Sequence, residues 1–199
     1  MKRTNCSACG EANLHQFLDL GLSPIADAYT STADEFSERY PLQLAVCTSC
    51  WLVQLLEVVD HKTLFGTGYS FYSSASAPLS AYHEAYAADI IWNYALDRKR
   101  HVVEIGSNDG DLARHFINAG YGVIGVDPAS GPAYVAAERG VTVAIEPFTT
   151  ALAVDLLEEY GPAELVIANH VLAHVEDVSD VLRGISTLLV DDGVAYVEV

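Results

Sequence analysis

From residue 101 onward, short apolar runs alternate with stretches whose apolar residues recur every three or four positions. Strands are expected at Val102, Val123, Val141, Leu165 and Val194, with helices near 111–119, 130–139, 149–160 and 175–189. Such alternation predicts an α/β fold whose parallel sheet is covered on both faces, with any ligand at the carboxyl ends of the strands. Upstream, Leu79, Tyr82, Tyr86, Ile90 and Tyr94 have helical spacing, and Arg98-Lys99-Arg100 is placed to close that helix with charge suited to its C-terminal dipole. Nearer the N-terminus, Leu18–Pro24 reads as a turn, Pro41–Cys47 as a strand and Trp51–Leu55 as a second strand.

The stretch His101–Asp111 carries the clearest chemistry. Val102, Val103 and Ile105 form a strand too short to be a helix, and Gly106-Ser107-Asn108-Asp109-Gly110 turns into the next helix. Gly106 and Gly110 permit a sharp turn and close approach to a ligand. Glu104, an acid inside an apolar strand, is costly unless paired. A ligand with a cationic group and hydroxyls would supply its partners, which favours S-adenosylmethionine over a dinucleotide. The next strand ends at Asp127-Pro128, about 20 residues beyond the turn, where such folds bind ribose hydroxyls. A nicotinamide cofactor fits less well, because the turn lacks the three-glycine spacing that a pyrophosphate requires. An ordinary strand-to-helix turn is the plain alternative.

Composition narrows the classes further. Twenty-seven acidic residues against ten Lys plus Arg give a net charge of −17, the opposite of what a phosphate-backbone binder needs, so nucleic acid is not an expected partner. No apolar run reaches the ~18 residues of a membrane span, and the N-terminus has no apolar signal core. A cytoplasmic protein is expected. The four cysteines fall as Cys6-x-x-Cys9 and Cys47-x-x-Cys50. Paired knuckles of this spacing complete a four-thiolate structural zinc site, closed to catalysis. Two disulfides or four unrelated buried thiols are the alternatives.

Other stretches admit two readings each. The aromatic, hydroxyl-rich run from Phe65 to Ser76 is either a wall of a substrate pocket or a connecting loop. Phe148, after the third strand, either lies against adenine or fills the core. His170 and His174 follow the fourth strand and share a face only if that turn is helical. They read as a metal pair or, more commonly, as hydrogen-bonded structural residues. The expected organisation is a zinc module over 1–60, a loop and helix over 61–100, and a cofactor-binding domain over 101–199. The last strand, Val194–Val199, is expected to need another neighbour, so the sheet is read as incomplete at its C-terminal end.

The paired cysteines, Leu18-Asp-Leu-Gly21, Tyr40-Pro-Leu42, Leu52-Val-Gln-Leu55, Ser73-Ser74, Val103–Gly110, Gly125-Val-Asp-Pro-Ala129 and Val171-Leu-Ala-His-Val175 together resemble the S-adenosylmethionine-dependent C-methyltransferases of nucleotide-linked keto-deoxysugars from antibiotic sugar pathways. The resemblance runs through essentially the whole chain. It implies an N-terminal zinc module, a Rossmann-like methyltransferase domain and a C-terminal domain, beyond residue 199, that helps bind the sugar nucleotide. The cofactor set it implies comprises Glu104, Gly106, Ser107, Asn108, Gly110, Asp127, Pro128, Phe148, Asn169 and His170. His174 and Tyr72 are the candidates for positioning or polarising the ketone, with the main base placed beyond Val199. Three positions depart from the family: His170 where a second asparagine is usual, Trp51 where glycine is usual, and Tyr69-Ser-Phe71-Tyr72 where tyrosine-x-tyrosine is usual. The rival readings are an O- or N-methyltransferase on the same sheet, or a non-catalytic fragment binding zinc and cofactor.

Overall fold

The computed structural model describes residues 1–32, 35–66, 68–94 and 96–199. Thr67 and Ala95, in the aromatic run and at the expected helix end, lie outside the described residues. The chain divides into two compact units: Met1–Ser70 with Val175–Ser179, and Phe71–His174 with Asp180–Val199.

The first unit is built on a three-stranded antiparallel sheet of β1 (Leu14–Pro24), β2 (Arg39–Cys47) and β3 (Val53–Leu55), in that order. The segment expected as a turn, Leu18–Pro24, is strand instead. Its turn chemistry is real but local: the Gly21 amide donates to Asp19 Oδ1 and Gly21 adopts φ +77°, which appears as one of two register shifts against β2. Pairing with β2 nonetheless continues on both sides of the shift, with Leu18 opposite Leu44 and Leu22 opposite Pro41. A short helix, α1 (His61–Phe65), is capped by Asp60, whose carboxylate accepts from the Thr63 amide. Segment 175–179 is fastened here by Ser179 Oγ donating to the Ala8 carbonyl and by Arg3 Nη2 donating to the Glu176 carbonyl at 2.8 Å.

The second unit opens with a single 3-10 turn at Ser73–Ala75 and helix α2 (Ala77–Tyr94), which buries Tyr86, Ala87 and Ile90. The five-stranded parallel sheet follows: β4 (His101–Ile105), β5 (Gly122–Val126), β6 (Thr142–Ala144), β7 (Ala163–Asn169) and β8 (Leu189–Glu198), ordered β6-β5-β4-β7-β8. Between the strands run α3 (Ala113–Asn118), α4 (Ser130–Glu138), α5 (Thr150–Tyr160) and α6 (Val178–Leu188), whose first two residues, Val178 and Ser179, belong to the first unit. This is the α/β parallel sheet that the apolar pattern predicts. Central β4 and β7 are buried almost throughout, and Val102, Leu165, Ile167 and Phe116 anchor the core with Ile90 and Leu96. Chain order reverses beside β4, which sets a crevice at the carboxyl ends of β4, β5 and β7.

The basic triplet does not close α2. Asp97 forms a turn there, accepting from the Lys99 amide through Oδ1 at 3.0 Å and from the Arg100 amide through its carbonyl at 3.1 Å. The charges are spent elsewhere: Arg98 lies 5.6 Å from the Tyr121 ring centroid, and Arg100 lies 3.7 Å from Glu164. No described helix is long and apolar enough to cross a membrane.

Candidate metal centre and cofactor site

The two cysteine knuckles are built alike. Cys6 N donates to the Glu11 carbonyl and Gly10 N to the Cys6 carbonyl; Cys47 N donates to the Leu52 carbonyl and Trp51 N to the Cys47 carbonyl. Each knuckle is followed by a residue in the left-handed region, Gly10 at φ +75° and Trp51 at φ +66°. All four sulfurs lie within 4.8 Å of one another, with Cys6–Cys50 and Cys9–Cys47 at 3.6 Å. A tetrahedron with metal–sulfur bonds of ~2.3 Å has corners about 3.8 Å apart, so the set fits zinc. Its electrostatics fit too. Although burial pushes the Cys6 thiol up, hydrogen bonds from the backbone of Cys9 and Ala8 and from Gln54 bring it down to about 6. Against a backbone hydrogen bond from Glu11, burial and the neighbouring sulfurs drive Cys9 up to about 12. Four thiolates this close require a cation between them.

In the second unit the turn after β4 is crowded with acids. Glu104, Asp109, Asp111 and Asp127 are all buried. Two have cationic partners. Asp109 pairs with Arg139 at 3.2 Å and accepts from Ser74, while Asp111 is met by His83 Nδ1 and Arg114 Nη2, each at 2.9 Å, and by Ser80 Oγ at 3.0 Å. Asp127 and Glu104 have none among the described residues. Asp127 accepts the Asn108 and Ala129 amides, both at 2.8 Å, one on each oxygen. Burial nonetheless holds its carboxyl above the usual range. Glu104 is more extreme: burial, then the charge of Asp127, push its carboxyl well up, and Oε2 is buried without a partner. Ser107 Oγ is likewise buried and unpartnered. Open lone pairs on two adjacent acids fit a ligand that offers an ammonium group and ribose hydroxyls.

The glycines serve the protein as much as a ligand. A Cβ on Gly110 would come within 3.1 Å of Ala136 and Val141, and one on Gly106 within 2.6 Å of Val171 Cγ2, both at φ +73°. Asn108 spends its side chain on the chain that precedes α2: Oδ1 accepts from Ser73 N at 2.9 Å, and Nδ2 donates to the Phe71 carbonyl at 3.1 Å. Only its backbone faces Asp127. Sequence reasoning missed this clasp of Ser73, Ser74, Ser80 and His83 on Asn108, Asp109 and Asp111. The paired serines were its one visible trace.

The remaining expected residues spread around the crevice. Pro128 follows Asp127 and is half-buried. Tyr72 Oη lies 3.0 Å from where a Cβ on Gly131 would stand, at the start of α4. Phe148 is buried, its ring edge 2.8 Å from the corresponding point on Gly184 of α6. Asn169 Oδ1 accepts from Tyr86 Oη at 2.9 Å. His170, at φ +55°, lies with Nε2 3.2 Å from Glu198 Oε1, and His174 sits exposed in a 3-10 turn at Leu172–His174. That turn is not an α-helix, so the four-residue spacing of the two histidines does not give them a shared helical face. Among the described residues, the four cysteines are the group of three or more metal-ligating side chains that converges.

Two family models match this chain. Residues 6–65 match one described as "Putative zinc binding domain", and residues 80–199 match "Methyltransferase domain". The chain belongs to the methyltransferase domain family. This family member is 33% identical over 196 residues to C-methyltransferase NovU from Streptomyces niveus, a match covering 98% of this chain and 46% of that protein. It thus spans about half the length of that curated relative. Among solved structures, the plantazolicin methyltransferase BpumL, determined with S-adenosylhomocysteine, superposes with TM-score 0.50 at 9% identity, over 63% of this chain and 49% of that one. The magnesium protoporphyrin IX methyltransferase of Synechocystis PCC 6803 gives TM-score 0.43 at 19% identity, over 55% and 54%. At such identities the likeness is one of fold alone.

Proposed function

We propose that this chain is the zinc-binding and cofactor-binding part of an S-adenosylmethionine-dependent C-methyltransferase, acting on a nucleotide-linked 4-keto-deoxysugar at the carbon next to the ketone. The observation that carries the reading is the pair Glu104 and Asp127: two buried acids at adjacent strand ends, without cationic partners among the described residues, one with an open oxygen. Such a pair repels pyrophosphate and favours a ligand that is cationic at its amino-acid end. The match to C-methyltransferase NovU supports carbon as the acceptor atom.

When bound, the cofactor supplies an electrophilic methyl group. Glu104 would hold its ammonium, and Asp127 would add ribose hydroxyls to the two amides it already accepts. Ser107, with an open buried hydroxyl, and Asn108, Gly106 and Gly110, which shape the turn, complete that wall. Tyr72 stands at the β5 side and His174 at the β7 side, flanking the crevice from which a ketone would be polarised. Zinc holds the first unit folded and takes no part in the chemistry, because four thiolates leave no open coordination position.

The test is mass spectrometry and NMR of product formed from methyl-labelled cofactor and a nucleotide-linked 4-keto-deoxysugar. A label on carbon beside the ketone is the expected result; a label on oxygen or nitrogen would overturn it.

A further inference from the structure

Asn108, buried in the turn after β4, takes φ +47°, a left-handed state that asparagine enters more readily than most residues but still at a cost. Its side chain is tied at three points. Oδ1 accepts from Ser73 N at 2.9 Å and from Ser73 Oγ at 3.3 Å, and Nδ2 donates to the Phe71 carbonyl at 3.1 Å. An amide group that accepts one N–H and donates to the carbonyl two residues earlier brackets the residue between them, as a residue of a parallel strand brackets its neighbour. The bracketed residue is Tyr72, held extended at φ −126° and ψ 119°. Its Oη lies 3.0 Å from where a Cβ on Gly131 would stand, so a side chain at 131 would press on the phenol.

The main chain of the same residue faces the other way: Asn108 N donates to Asp127 Oδ2 at 2.8 Å. One residue therefore joins the acid read as the ribose site to the segment that carries Tyr72. A movement of the turn that frees Asp127 must also break the bracket. The far end of the segment has its own anchor, since Ser74 donates to Asp109 through both its amide and its hydroxyl. What Asn108 restrains is thus the stretch 71–73.

We propose that Asn108 is a positioning residue that couples occupancy of the cofactor site to the placement of Tyr72. The proposal rests on the S-adenosylmethionine site read at Glu104 and Asp127. A ligand on Asp127 holds the turn and, through Asn108, the stretch 71–73. By reciprocity the stretch holds Asn108 in its left-handed state, with its amide aimed at Asp127, and so favours ligand binding by the same factor. The cofactor thereby sets the Tyr72 side of the crevice before a substrate arrives.

The coupling can be measured without turnover, with S-adenosylhomocysteine as the probe, by calorimetry for binding and NMR for hydrogen exchange of the Ser73 amide. In the wild type, ligand at about 100 times its Kd is expected to slow that exchange about tenfold or more. Asn108→Gly suits the left-handed backbone and keeps the N–H to Asp127. It should still bind the probe, but the response at Ser73 should vanish, whereas a residue that merely stabilised the fold would leave the response in place. Ser73→Pro breaks the bracket from the other side without touching the cofactor turn; proline suits the first residue of a helical turn, and the extended Tyr72 suits the position before it. It should weaken probe binding about 3–10-fold, the worth of the lost hydrogen bonding, and add no further loss in the Asn108→Gly background. Unfolding midpoints confirm that the variants fold. Wild-type affinity in Ser73→Pro, or a full further loss in the Asn108→Gly background, overturns the coupling. Binding by the wild type without a response at Ser73 overturns the coupling and leaves the cofactor site standing, whereas no binding by the wild type removes both.

Discussion

Trp51 occupies, at φ +66°, the place that Gly10 occupies in the matching knuckle. A bulky side chain in the left-handed region costs about 1–2 kcal/mol, and its ring, 73% exposed, regains little by packing. Trp51→Gly, after about 0.5–1 kcal/mol of added chain entropy in the unfolded state, should therefore be neutral to stabilising by up to about 1 kcal/mol. A lowered unfolding midpoint would show that the indole packs against something. Glu104 makes a sharper prediction. Its carboxyl is held well above the ordinary glutamate value of 4.5, first by burial and then by Asp127, so the folded protein keeps a proton that the unfolded chain releases. Without ligand, stability must fall as pH rises from about 4.5 through the folded value. Glu104→Gln should flatten that fall, raise the midpoint at neutral pH and weaken S-adenosylmethionine binding. Thermal unfolding between pH 5 and 8, with calorimetry, checks all three. Unchanged affinity would remove Glu104 from the site.

At the level of elements, strands and helices of the second unit were legible because each has one period and one environment. β1 was not. Its Asp19-Leu-Gly21 turn signal is local, whereas the pairing with β2 that makes it a strand is not written in the segment itself. The charge expected to close α2 failed similarly, since Asp97 starts a turn of its own. The clasp on the glycine turn was illegible for another reason: its partners are separated by about thirty residues or more, and serine, asparagine and aspartate carry no period. Glu104 and Asp127, by contrast, announce themselves as acids in or ending apolar runs. The clasp is structural in energy. Arg139→Ala would leave Asp109, fully buried, without its cation, a loss of about 3 kcal/mol at the lower end for a broken buried pair because Arg139 is partly exposed. In a chain of this size that is roughly 6–12 °C in midpoint. Arg139→Ala with Asp109→Asn should recover part of it, and strict additivity in the double-mutant cycle would mean that the pair is not coupled.

For the whole molecule, the two units draw stability from different sources. The second has a continuous core running from Tyr86 and Ile90 through Val102, Phe116 and Leu165. The first buries few apolar side chains, Ala45, Leu56, Cys6 and Cys47 among them, and leaves Phe17, Leu18, Leu20 and Leu22 of β1 largely exposed. A sheet with so little buried surface depends on its metal, as small zinc domains do. Chelation should therefore unfold one unit and spare the other. Hydrogen exchange read by mass spectrometry should show amides of β1–β3 losing protection after zinc removal, while β4, β5 and β7 keep theirs and S-adenosylmethionine still protects the turn at 106–110. The segment 175–179 reports on the same event: one of its two bonds to the first unit runs to Ala8, inside the first knuckle, and the other to Arg3, so its protection should fall with that of the sheet. If β1–β3 stay protected without metal, zinc is not what folds this unit.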